Sequence, residues 1–123
     1  MEHTIGPLSY TIRSAANWLE VDYTGVVADV DIARQWMAAI EAELRREGKT
    51  KILWDSRGAE VHPSEVREWI WNWLKSTTYL KFSAILVESS LLRVTANMSA
   101  LSSKVPIRSF HDRSEAVEWL QSQ

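Results

Sequence analysis

The sequence predicts an α/β fold: a mostly parallel sheet flanked by helices, with elements in the order β-β-α-β-α-β-α-β-α. Three observations predict it. Residues 51–55 and 82–87 are short apolar runs, as expected of strands buried on both faces. Beside these runs, apolar residues recur at spacings of three and four, the period of a helix with one buried stripe. Residues 8–23 alternate instead, with the period of two of a half-buried hairpin.

Taken in order, Leu8, Tyr10 and Ile12 alternate with Ser9, Thr11 and Arg13 and give the first strand. Ala15-Ala16-Asn17 is a turn. Leu19, Val21 and Tyr23 then lie opposite Glu20 and Asp22 in the second strand, which Gly25 ends. Asp29 or Asp31 can cap the first helix, because a short carboxylate accepts from the free N–H groups of a first turn. Ala33, Trp36, Met37, Ile40 and Leu44 form its buried stripe, and Gly48 is a ready C-terminal cap. Lys51 to Asp55 is the central strand, expected to empty into a polar, Gly-containing loop that reaches His62.

Pro63 suits the first position of the second helix, since its missing N–H would be unpaired there. Val66, Trp69, Ile70, Trp73 and Leu74 fall on one side of that helix, with Arg67, Trp71 and Lys75 on the other. Phe82 to Val87 is a further central strand. Ser89 or Ser90 is a candidate cap for a helix running to about Ser102. Val105 to Phe110 is the last strand, and Pro106, having no N–H to donate, predicts that it lies at an edge. Asp112-Arg113-Ser114-Glu115 has the pattern of a capping box before a short final helix carrying Ala116, Val117, Trp119 and Leu120.

Bulk properties narrow the function. A chain of 123 residues suits a single domain, 1–123. A net charge of -2 gives no electrostatic footprint for nucleic acid. The sequence has no cysteine, which removes disulfides, thiolate metal sites and cysteine nucleophiles together and fits a cytoplasmic location. No apolar stretch approaches the roughly 20 residues that span a membrane.

The order of elements and two stretches resemble the STAS/SpoIIAA-like group, the fold of bacterial anti-sigma-factor antagonists, and within it the small STAS/SEC14-type bacterial proteins. Lys51-Ile52-Leu53-Trp54-Asp55 is similar to the family's central strand. The ending from Phe110 to Leu120 is similar to its final strand and closing Ala-x-x-Trp-Leu helix. In the antagonists the corresponding strand ends in Asp-Ser-Ser-Gly, and the second serine is phosphorylated by a partner kinase. This chain has Asp55-Ser56-Arg57-Gly58, so Arg57 replaces that serine and only Ser56 keeps a hydroxyl. Phosphate would add negative charge, whereas arginine fixes a positive fork. The resemblance therefore implies a non-enzymatic regulatory or binding domain without the serine switch.

The residues themselves give no catalytic constellation. Asp55, Ser56 and His62 match no Gly-x-Ser-x-Gly elbow and read first as turn residues. Asp55, His62 and Glu65 lack the paired spacing of a metal site, so neither metal nor cofactor is expected. Arg57 beside a helix N-terminus is a candidate anion contact. Trp71, between Arg67 and Lys75, has the composition of an interface anchor, and Trp71→Ala is expected to leave folding intact and weaken association.

Two functional readings follow. The first is a protein-interaction domain, with a protein partner or a second copy contacting Asp55, Ser56, Arg57, His62 and Trp71. The second is a binder of a small apolar ligand or lipid in a pocket lined by Trp54, Trp69 and Trp73.

Overall fold

The computed structural model describes residues 2–88 and 107–123. Nine elements follow in order: β1 (Glu2–Ile5), β2 (Leu8–Ser14), β3 (Leu19–Gly25), α1 (Val30–Glu47), β4 (Lys51–Ala59), α2 (Ser64–Ser76), β5 (Phe82–Leu86), β6 (Ile107–Phe110) and α3 (Arg113–Gln121). The helix expected from Ser89 or Ser90 to Ser102 lies outside the described residues.

The strands form one six-stranded sheet in the order β1-β2-β3-β4-β5-β6. β1, β2 and β3 pair antiparallel, and β3 to β6 pair parallel. The fold is thus α/β and mostly parallel after its opening strands. Among the described residues β6 is an edge strand, as expected of the last strand; Val105 and Pro106 lie outside the described residues.

Alternation along the strands sorts their side chains onto two faces. Leu8, Tyr10, Leu19, Val21, Ile52 and Trp54 pack with α1 and α2 on one face. Leu53, Ala84, Leu86 and Phe110 pack with α3 on the other. α1 buries the five residues its periodicity selected: Ala33, Trp36, Met37, Ile40 and Leu44. Asp29 accepts from the Ile32 N–H at 2.9 Å and Gly48 closes the helix in the left-handed region, so both ends are capped as expected. Asp112 caps α3 through the Ser114 N–H.

Four expectations need correction. The first strand of the sheet is β1, which the alternation missed; Gly6, at φ 57, turns it into β2 through a two-residue Gly6-Pro7 loop. β4 does not stop at Asp55 but runs to Ala59, because Thr24 and Gly25 of β3 still pair with Gly58 and Ala59. Trp71 is not off the core: it packs against the same cluster as Trp69 and Trp73, from the other flank of the α2 stripe. Pro63 is the residue before α2 rather than its first turn, a shift of one position.

Candidate functional site

Extending β4 divides the residues expected to share one loop. Between Asp55 and Gly58, β4 takes three steps where β3 takes two, so one extra residue bulges at Ser56–Arg57. Bulges re-aim side chains and end regular pairing. Asp55 and Arg57 border a groove on the face opposite α1 and α2. Ser56 and His62 lie with the α1 and α2 side, as the partners below show.

The polar groove has a volume of about 370 Å³ and is bordered by Glu2, Ser9, Thr11, Asp22, Asp55 and Arg57, among others. Among the described residues, no helix core covers this part of the sheet. Asp22 and Asp55 are direct neighbours across the parallel β3–β4 pair. Their surroundings push them apart. The Arg57 side chain bonds to both Asp55 oxygens, at 3.0 and 2.8 Å, and its backbone N–H adds a third bond at 3.2 Å. These bonds hold the Asp55 carboxyl below the usual range, against an opposing effect of burial. Burial raises the Asp22 carboxyl; Arg13, at 2.7 Å, opposes this, and the neighbouring Asp55 adds to it. Arg57 is therefore an ion-pair partner of Asp55 and not an unengaged anion receptor.

Two residues before Asp22, and sharing Arg13 with it, Glu20 is buried under charge. It accepts from Arg13 at 3.0 Å, from the Trp18 indole at 3.3 Å and from Arg113 of α3. This clamp ties β2 and β3 to α3. The alternation places Glu20 on the face opposite Leu19, Val21 and Tyr23, and there it is only 7% exposed.

The second space is an apolar cavity of about 130 Å³ between α1, α2 and the sheet. Trp36, Trp54, Ile70, Trp71 and Leu74 form most of its wall, with Tyr23, His62 and Arg67 at the border. Trp54 was expected here. Trp69 and Trp73 do not line it, and Trp36 and Trp71 take their place. The rings interlock: Trp36 meets Trp54 edge-on at 5.9 Å and Tyr23 edge-on at 4.8 Å.

Polar atoms around this cavity are held in place. The Trp54 indole donates to Ser83 at 3.1 Å. The Ser56 hydroxyl donates to the Leu86 carbonyl across β5 at 2.5 Å and interacts with the Tyr23 phenol. Burial pushes that phenol up to about 12, with the Ser56 bond opposing. Ser56 is therefore a structural hydroxyl in this fold. His62 Nδ1 accepts from the Val27 N–H at 3.1 Å and its ring stacks on Tyr23. Burial, and then the positive charge of Arg67, hold the His62 imidazole below its ordinary value.

Among the described residues, no group of three His, Asp or Glu side chains is placed to hold a metal ion. Nor is any described helix long and apolar enough to cross a membrane.

The arrangement belongs to a recognisable class: a SpoIIAA-like fold. An uncharacterized protein of the DUF3478 family with a SpoIIAA-like fold, from Shewanella loihica, superposes with a TM-score of 0.69 at 17% identity, over 98% of each chain. An anti-sigma factor antagonist from Mycobacterium paratuberculosis gives 0.67 at 12% identity, over 93% of this chain and 94% of that one. The anti-sigma factor antagonist SpoIIAA in its unphosphorylated form gives 0.63 at 13% identity, over 93% and 99%. Within this class, residues 12–123 match the model of a domain of unknown function, DUF7793, and the chain belongs to that family. No curated protein matches the sequence.

Proposed function

We propose that residues 1–123 act as one non-catalytic, cytoplasmic interaction domain of the kind the antagonist neighbours represent, with a protein partner or a second copy as its target. The Arg57–Asp55 pair is the observation that supports this most. At the position where the resemblance places a phosphorylated serine, this chain carries a fixed, half-exposed ion pair at the rim of a polar groove that no described helix covers. Val61, 61% exposed between β4 and α2, offers a further apolar contact. Without a hydroxyl at position 57, binding here is not switched by phosphorylation of that residue.

Native mass spectrometry of the protein purified from its own host tests the reading. A protein partner or second copy is expected, with its occupancy reduced in Arg57→Ala. A bare monomer, or occupancy indifferent to Arg57, counts against it.

A second reading, a small-ligand binder, is favoured by one observation: the apolar cavity between α2 and the sheet. In this reading Trp54 is a wall residue, and Trp36 and Trp71 serve where Trp69 and Trp73 were expected.

A further inference from the structure

Residues bordering the cavity beside α2 carry hydrogen-bond donors that no described residue satisfies. Trp36 is 2% exposed, yet its indole Nε1 has no hydrogen-bond partner among the described residues. A buried donor left unpaired is costly, and such atoms are few in native folds. His62 supplies a second donor. Its Nδ1 accepts from the Val27 N–H, so the neutral ring carries its proton on Nε2. Among the described residues no hydrogen bond engages that Nε2. Arg67, at the same border, forms no ion pair among the described residues, and its charge reaches His62. The Tyr23 hydroxyl, at the same border, is already engaged by Ser56.

Size and wall chemistry restrict what could satisfy these donors. The cavity volume is about 130 Å³. A dry apolar cavity of about 150 Å³ accommodates one benzene ring. The wall here is aromatic and aliphatic, from Trp54, Ile70, Trp71 and Leu74. A long lipid chain exceeds this space.

We propose that this cavity binds a small aromatic monocarboxylate, its ring against Trp54 and Trp71 and its carboxylate supplying the acceptor that Trp36, His62 and Arg67 lack. This rests on the small-ligand reading and names its chemical class. The carboxylate favours the Arg67 border because a charge-assisted hydrogen bond is about twice as strong as a neutral one.

The test is titration of the full chain with sodium benzoate and, separately, with toluene, followed by tryptophan fluorescence and calorimetry. Benzoate is expected to quench saturably and to bind at least about tenfold more tightly than toluene, the ratio that one net hydrogen bond supplies. Arg67→Met, an exposed position, and Trp36→Phe, which keeps a ring, should each weaken benzoate about tenfold. Thermal unfolding of each variant shows that the fold is retained. If toluene binds as tightly as benzoate, or if Arg67→Met leaves benzoate unchanged, the carboxylate proposal is overturned while the apolar pocket stands. If neither probe binds saturably, the small-ligand reading falls with it.

Discussion

Replacing His62 with phenylalanine isolates one bond that holds the cavity border in place. Phenylalanine keeps a ring to stack on Tyr23, now at 6.2 Å from His62, but removes the acceptor for the Val27 N–H. Val27 is fully buried, so water cannot replace that acceptor. An orphaned buried N–H costs about 1–3 kcal/mol, so a loss of about 2 kcal/mol is expected. For a chain of this size that is a fall of roughly 8 °C in Tm. His62→Asn, whose side-chain oxygen can accept in place of Nδ1, should recover part of the loss. Calorimetry at about pH 7.5 and about pH 5.5 adds a second check through proton linkage. The folded-state His62 value lies below 6.5, through burial first and Arg67 second. Its contribution is therefore present above pH 6.5 and is lost as pH falls through the folded value, while the unfolded chain takes up the proton. Wild type should lose stability on acidification more than His62→Phe does, and the gap between them should narrow. A Tm unchanged by the substitution, or a gap that stays constant with pH, would refute the reasoning.

Three further predictions follow from single contacts. Glu20→Gln keeps the shape of a buried side chain but removes the charge that Arg13 and Arg113 share; because both arginines are about half exposed and can rehydrate, a loss of about 1–2 kcal/mol is expected, seen as a lower urea midpoint with an unchanged slope. An unchanged midpoint would show that the clamp contributes nothing. Gly25→Ala places a methyl 2.1 Å from the Pro7 carbonyl oxygen at φ 82, so it should cost at least about 3 kcal/mol; a variant as stable as wild type by urea denaturation would contradict the β2–β3 register. Trp71→Ala is no longer expected to leave folding untouched: scaling the 3–5 kcal/mol of a buried tryptophan by half burial and crediting the better helix former gives a loss of about 1.5 kcal/mol. Stability within error of wild type would return Trp71 to the surface.

What the sequence showed most fully was whatever one element decides by itself. The stripe of α1, its Asp29 cap and its Gly48 ending are all local, and each stands where the periodicity put it. β1 escaped because an edge strand with no fully buried residue has no alternation to display; only Gly6-Pro7 signals the turn beside it. The end of β4 was misread because Ser56, Arg57 and Gly58 are turn formers taken alone. Pairing with Thr24 and Gly25, and the Ser56 bond to the Leu86 carbonyl, override that local preference. The cavity was half legible for a similar reason. Trp54 is set by its strand, but the choice of Trp71 over Trp69 and Trp73 depends on how α2 rolls against α1 and the sheet, which no wheel contains.

The length and bulge of β4 also alter how the two functional readings separate. A loop from Asp55 to His62 would have made one site, with every residue open to one partner. A strand with a bulge makes two: Asp55 and Arg57 serve the groove, Trp54 and His62 the cavity, and of the bordering residues Tyr23 alone touches both. β4 is paired on both sides, to β3 and to β5, so its backbone separates the faces as well as joining them. Arg57→Ala and Arg67→Met should therefore act independently, with their effects on benzoate affinity adding to within about 0.5 kcal/mol, as distant sites without shared partners do. Coupling well above that would mean that Tyr23 or the bulge carries one site's state to the other, and the interaction and ligand readings would then describe a single regulated surface.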